Sequence, residues 1–460
     1  MSSSLTNELS QNSADRIDRR SVVQQIADYI VSERGMPVPR PLERAAMRCI
    51  LDLLGAAAAG TLNPGASAVR GIALTTLAAG SVPIWFSGLS SSAIGAAWAN
   101  SAAAAALDLD DGHRMARGHP GAAVIPTAIS LAYETGASLV KLISAIVIGY
   151  EVGVTIGAGR LTYGNTGTWS AYAVVATAAA LRETPRHIVE HALAIAGESS
   201  PNQLFASAPA QTPPPEGSDV KEGIPWSVVT GLTALALAEA GHTGPRNILD
   251  STLHYRFPAN LGLGSAHHIG RTYFKLYACC RHVHAPLDAL LGLVDQYGLD
   301  PHSIEAIDVQ TYGGALRISN SVRPNHLVDV QYSIPYCLAL AAIVGPGALL
   351  PLTSRVLGLD EVTALASKVS LALDPALDEK FPAQTLACVT VLSGGERFVS
   401  DVTAPRGEAS NPLTWAELEA KFNVVSCVLN PVQQEDLLRS IGAIENGELN
   451  PLLASLRRAH

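Results

Sequence analysis

The side chains best suited to chemistry lie in residues 102–126, AAAAALDLDDGHRMARGHPGAAVIP. Asp108, Asp110 and Asp111 stand close together and are followed by His113 and His119. An imidazole titrates near neutral pH, and an aspartate beside it can orient it and raise its affinity for a proton. Carboxylates set among alanines are costly to bury unless they are paired or used. The stretch therefore reads as an acid–imidazole loop between two interior helices, the floor of an active site. A solvated loop with an Asx cap is the competing reading.

Four further residues extend the set: Lys221, Lys275, Arg281 and His282. Lysine and arginine hold carboxylates, and a cation near a carboxylate stabilises the enolate charge that develops when the adjacent carbon loses a proton. Thr166 and Thr168 flank Gly167 at the start of an alanine-rich helix, where exposed backbone N–H groups can receive a carboxylate. Ordinary helix caps use the same residues. Asp108, Asp111, His113, His119 and Lys221 are the catalytic candidates, and Lys275, Arg281, His282, Thr166 and Thr168 the substrate-binding ones. Together they suit proton abstraction beside a carboxylate with loss or addition of a leaving group.

The acidic loop also has the atoms for a divalent cation, but its spacing matches no metal motif and the lysines suit a metal-free site. No glycine-rich nucleotide fingerprint is present, so no cofactor is expected. Cys280, beside Arg281 and His282, offers a nucleophilic-thiol alternative that no acyl-transfer motif frames.

Positioning these groups falls to a chain of 460 residues that is 48% hydrophobic but only 5% aromatic and 15% charged. Such a chain packs small side chains closely, and its sparse charge suggests a surface partly covered by a partner subunit. The net charge of −9 argues against a nonspecific nucleic-acid surface. The six cysteines fit neither a disulfide framework nor a metal motif, and the polar N-terminus lacks a signal peptide's apolar region. A soluble cytoplasmic protein without a membrane span is expected.

Helical periodicity runs through the first part of the chain: about 20–33, 42–60, 65–79, the alanine-rich segment after Ser90, 122–133, 138–157, 170–181 and 227–240. Residues 1–19 read as a flexible arm and 205–219 as an exposed crossing. From about 269 the pattern changes. Strand candidates at 304–309, 369–373, 384–391 and 397–402, the last two flanking a Ser–Gly–Gly turn, mix with helices at 285–297 and 332–344. The fold class is thus mostly α with a second α+β domain. The expected division is a helical domain of 1–268 plus 404–460 and a smaller domain of 269–403.

LDLDDGH followed by GHPGAAVIP resembles the signature of the MmgE/PrpD family, which contains 2-methylcitrate dehydratases and cis-aconitate decarboxylases. GYEVGVTIG at 149–157, NTGTW at 165–169, KEGIPW at 221–226, KLYACCRHVH at 275–284 and YSIPY at 332–336 agree in chain order. The resemblance implies a large helical domain built from both chain ends, a smaller α+β domain walling the cleft, and a homodimer. It also implies cofactor-free lyase or isomerase chemistry on di- and tricarboxylic acids. By motif position, Asp108 and His119 match the acid–imidazole pair, and Lys221 and Lys275 match the substrate-facing lysines. Four positions depart from the better-characterised members. Gly112 stands where threonine is common, and Gly164 and Pro225 where histidines are frequent. Cys280 stands where the decarboxylase branch has a histidine. The expectation is a lyase, foremost a hydro-lyase, on a small polycarboxylic acid; epimerisation, decarboxylation and a noncatalytic homologue are the alternatives.

Overall fold

The structure, a computed structural model, describes residues 20–162, 164–201 and 217–459. The expected arm at 1–19 and most of the crossing at 205–219 lie outside the described residues.

Helix α1 (Val22–Glu33) begins with a capping box: the Ser21 side chain accepts from the Gln24 N–H while the Gln24 side chain accepts from the Ser21 N–H. Asn63 ends the break between α2 (Arg40–Gly60) and α3 (Pro64–Thr76) by accepting from Gly65 and Ala66. A short antiparallel pair, β1 (Val82–Ile84) and β2 (Leu89–Ser91), leads to α4 (Ala93–Ala105), which Ser92 caps. The helical body continues through α5 (Gly121–Thr135), α6 (Leu139–Gly159), α7 (Gly167–Leu181), α8 (Arg186–Glu198) and α9 (Ile224–Glu239).

Small residues explain how tightly these helices approach one another. A Cβ on Gly149 of α6 would overlap the Thr177 hydroxyl of α7, and one on Gly231 of α9 would overlap Val174. Helices α4 to α7 are therefore buried almost all round, as an alanine- and glycine-rich composition permits. Among the described residues α6 is long and apolar enough to cross a membrane, but 89% of its most apolar window lies inside the protein.

The remainder mixes both element types. After α10 (Arg281–Tyr297) come β3 (Ile304–Thr311), α11 (Gly313–Leu316), α12 (Leu327–Gln331), α13 (Ile334–Ile343), α14 (Asp360–Ala366), β4 (Val369–Leu373), α15 (Pro375–Asp378), β5 (Ala387–Ser393) and β6 (Glu396–Val399). The strands form one sheet in the order β4-β3-β5-β6, with β4 parallel to β3 and the other pairs antiparallel. Gly394 and Gly395 both take positive φ in the β5–β6 turn, as the Ser–Gly–Gly signal predicts. The helix expected over 332–344 is present as α13, capped by Ser333 with Pro335 in its first turn, and the short α12 that ends at Gln331 precedes it.

The chain closes with α16 (Trp415–Val425), α17 (Pro431–Glu445) and α18 (Asn450–Ser455). Helix α16 packs on α2, so the C-terminal segment returns to the helical body. The architecture is predominantly helical with a smaller mixed sheet, as expected from the sequence.

Candidate active site

Residues 106–120 connect α4 to α5, and their backbone is held by side chains from four distinct places. Gln331 Nε2 donates to the Ala106 carbonyl at 3.1 Å, and Lys275 Nζ to the Asp108 carbonyl at 2.8 Å. Lys421 Nζ of α16 donates to the Leu109 carbonyl at 3.1 Å. The Asp111 carbonyl lies 2.7 Å from His119 Nδ1. A buried loop cannot leave its carbonyls without partners, and here side chains supply what a helix or sheet would have supplied. Asp108 itself has φ 53°, a left-handed conformation costly for a non-glycine residue and sustained by these contacts.

Because a carbonyl only accepts, its contact places a proton on His119 Nδ1 and leaves Nε2 of the neutral ring with a lone pair. That Nε2 lies 3.5 Å from Asp108 Oδ1, and Lys275 Nζ lies 3.0 Å from the same oxygen. Lys275 is fully buried and Asp108 nearly so. Burial alone would push the Asp108 carboxyl up, but Lys275, then Lys221 and His119 when it carries a second proton, outweigh it and hold it well below the usual range. For Lys275 burial acts to lower the pKa, and Asp108 together with Tyr273 and Asp110 more than reverses it. The pair is therefore ionic, and the imidazole faces a fixed anion.

Asp110 and Asp111 differ from Asp108. Asp110 Oδ2 lies 3.6 Å from His119 Nδ1, and burial raises its pKa. Asp111 turns away from the imidazole. Its Oδ1 accepts from the Gly121 N–H at 2.9 Å, at the first turn of α5, and its Oδ2 accepts from the Tyr150 hydroxyl at 2.5 Å. Burial raises this carboxyl to about 7 despite those two bonds. Asp111 thus supports the loop through its side chain and orients His119 through its carbonyl.

Lys221 enters from the turn before α9. Its ammonium donates to Gln331 Oε1 at 2.6 Å and lies 5.2 Å from the centre of the Tyr332 ring. Lys221, Glu222 and Gly223 have φ of 45°, 57° and 72° in succession. Such a run stores strain that only surrounding contacts repay. One set of contacts comes from Glu222, whose Oε2 accepts from the Thr166 hydroxyl at 2.7 Å and the Thr166 N–H at 3.2 Å. The Tyr332 hydroxyl donates to its other oxygen at 3.3 Å. Thr166 Oγ1 in turn accepts from the His119 N–H at 3.2 Å, so one hydroxyl joins Glu222 to the imidazole's backbone.

Several residues expected to touch substrate or take part in the chemistry have protein partners in this structure. The N-terminus of α7, expected to receive a substrate carboxylate at Thr166, already receives that of Glu222. The Thr168 hydroxyl donates to the Asn165 carbonyl and accepts from Arg160. Arg281 binds Glu408 together with Arg114, donates to the Arg406 carbonyl, and lies over the Tyr273 ring. His282 is hydrogen-bonded to the Tyr312 hydroxyl, and burial, followed by Arg114, lowers its pKa to about 4. His113 packs edge-on against His268 at 5.1 Å rather than against the carboxylates, and burial lowers its pKa to about 3.

Glu151, buried inside α6, accepts from the N–H groups of Gly264 and His268, tethering that loop. Cys280 caps α10, and burial, then Asp108, raises its thiol to about 12. It is a neutral thiol, not a poised nucleophile. Gly112 has a steric reason: a Cβ there would overlap the hydroxyl and ring of Tyr273, which pairs with Gly112 through two backbone hydrogen bonds. Asp108, Asp110 and His119 also present atoms close enough to share a cation, all within 4.8 Å. The Lys275 ammonium stands on Asp108 Oδ1 and His119 Nδ1 is directed at a carbonyl, while Asp108 Oδ2 and Asp110 Oδ2 are buried without a hydrogen-bond partner among the described residues, so the donor set could hold a cation as well as a proton.

Glu222, Gln331 and Lys421 belong to this network but are not among the residues singled out from the sequence. The glutamate beside Lys221 is visible in the KEGIPW segment, whereas nothing local marks Gln331 or Lys421.

Comparison with known proteins shows the family. The MmgE/PrpD N-terminal domain matches residues 24–255 and the MmgE/PrpD C-terminal domain matches residues 277–444. The chain belongs to the MmgE/PrpD family. Two similar proteins from Aspergillus terreus are both named cis-aconitate decarboxylase. One is 27% identical over 322 residues, 63% of this chain and 63% of its own length. The other, from strain NIH 2624 / FGSC A1156, is 25% identical over a 500-residue alignment that takes in 97% of this chain and 98% of its own.

Proposed function

We propose that this chain is a cofactor-independent lyase that acts on a small polycarboxylic acid. The reading rests foremost on His119, whose Nδ1 is directed at a carbonyl and whose Nε2 faces the Asp108–Lys275 ion pair. Nε2 removes the proton on the carbon beside a substrate carboxylate. Lys221 holds that carboxylate and stabilises the enolate charge. The electron pair closes the carbon–carbon double bond as hydroxyl leaves from the neighbouring carbon. The proton on Nε2 goes to that hydroxyl, so the products are the unsaturated acid and water. Asp108 stabilises the imidazolium formed between the two transfers. Asp111 acts by positioning. The names of the two similar Aspergillus proteins favour a second reading, decarboxylation, in which carbon dioxide leaves first and the charged imidazole protonates the carbanion.

The test is a panel of hydroxy-, amino- and unsaturated polycarboxylates presented to EDTA-treated protein. Absorbance near 240 nm, deuterium uptake from solvent and carbon dioxide release are followed together. Dehydration gives the absorbance without the gas; decarboxylation gives the gas; epimerisation gives deuterium alone. His119→Ala is expected to lower kcat by at least about a hundredfold, the lower range for a general base. Full activity in that variant refutes the assignment.

A further inference from the structure

The charges around the acid–imidazole loop are already partly paired before a substrate arrives. Lys275 is neutralised by Asp108. Lys221 is held by a neutral amide and a ring, which leaves its charge for a substrate carboxylate. Arg114 and Arg281 share the single carboxylate of Glu408, so that trio carries one surplus positive charge beside Tyr273, whose backbone pairs with Gly112 of the acid–imidazole loop. Against these two surplus charges stands Glu222. Half-buried, it puts a fixed carboxylate into the α7 N-terminus, the place with backbone donors where a further substrate carboxylate would otherwise settle. Tyr332 joins it to Lys221, since the hydroxyl of that residue bonds Glu222 and its ring lies 5.2 Å from the Lys221 ammonium. Nor can it easily swing aside, because Thr166 donates to one of its oxygens twice and Tyr332 to the other.

We propose that Glu222 is a specificity-determining residue that selects a dicarboxylate and rejects a tricarboxylate. This rests on the polycarboxylate reading above. Two surplus cations match two carboxylates, and a third would meet Glu222 as a like charge beside Lys221. A repulsive element of this kind discriminates between ligands that share every attractive contact.

The test uses two unreactive acids, succinate and propane-1,2,3-tricarboxylate, titrated calorimetrically into the full-length protein at low ionic strength. Wild type is expected to bind succinate at least about tenfold more tightly, a difference of about 1.4 kcal/mol. Glu222→Gln removes the charge while keeping a carbonyl for Thr166, and the ratio of the two affinities should move about tenfold toward the tricarboxylate. Glu222→Asp keeps the charge and should keep the wild-type preference. That second variant separates charge from packing if Glu222→Gln melts early.

An unchanged ratio in Glu222→Gln, or loss of the preference in Glu222→Asp equal to that in Glu222→Gln, overturns the role of Glu222 and leaves the polycarboxylate reading standing. Wild type binding the tricarboxylate as tightly as succinate does the same. Binding of neither acid by wild type overturns both.

Discussion

Replacing Lys275 by methionine is the most direct way to ask whether the acidic loop is organised by buried charge. The substitution keeps an unbranched chain in a fully buried site and removes the ammonium 3.0 Å from Asp108 Oδ1 and 2.8 Å from the Asp108 carbonyl. At that separation the ion-pair attraction is about 5 kcal/mol with an effective dielectric constant of about 20. Asp108 can relieve part of the loss by taking up a proton, so the net cost at pH 7 is set at about 3 kcal/mol, the lower end for a broken buried pair.

The pH dependence follows from Asp108. In wild type its pKa is depressed below the ordinary 3.8, so its stabilisation is present above that value and is lost only as pH falls through the lower folded value. In Lys275→Met burial raises the same carboxyl. Its contribution is then favourable only at low pH and is lost as pH rises. The stability gap between the two proteins must therefore narrow from pH 7 toward pH 4. Urea unfolding followed by near-ultraviolet circular dichroism measures the gap. The double variant Asp108→Asn/Lys275→Met should recover part of the loss, because no uncompensated carboxylate remains. A cost below about 1 kcal/mol at pH 7, a gap that widens on acidification, or a double variant less stable than the single one refutes the reasoning.

Two more perturbations bear on the same loop. Asp111, raised to about 7, contributes stability that is complete below 3.8 and lost as pH rises through about 7, so Asp111→Asn should flatten the decline in melting temperature over that interval. Gly112→Ala should lower the melting temperature by several degrees, since its Cβ overlaps Tyr273, and trimming that ring with Tyr273→Ala in the same chain should restore part of the loss; an unchanged melting temperature for Gly112→Ala counts against the packing described.

What can be read from the chain follows from how far apart in sequence the interacting groups lie. Helices such as α1 and α16 announce themselves locally, through the Ser21–Gln24 and Thr414–Glu417 boxes and the apolar stripes behind them. The acid–imidazole loop is legible too, because aspartates and histidines among alanines are chemically conspicuous. Partner identity is not. Lys421 meets Asp52 across 369 positions, and Lys221 meets Gln331 across 110. No periodicity encodes such pairings, since they depend on how α16 docks on α2 and where α12 ends. The α7 N-terminus shows the same limit. Thr166 and Gly167 correctly suggest exposed N–H groups, yet which carboxylate fills them is settled by the left-handed turn at Lys221 and Glu222.

The same long-range contacts explain how the loop that carries the proposed site can be buried. Loops elsewhere stay on the surface because water satisfies their backbone. Here Ala106, Asp108, Leu109 and Asp111 have their carbonyls met by Gln331, Lys275, Lys421 and His119, which come from α12, the segment before α10, α16 and the loop itself. Each of these donors has a second contact beyond the backbone. Gln331 steadies Lys221, Lys275 neutralises Asp108, Lys421 pairs with Asp52 at 2.5 Å, and His119 offers Nε2 toward Asp108. The bonds that make the loop buriable are thus the ones that set the charge and tautomer of its reactive groups. Folding and the ionisation of the proposed site draw on the same contacts, so substitutions among these donors should change both together.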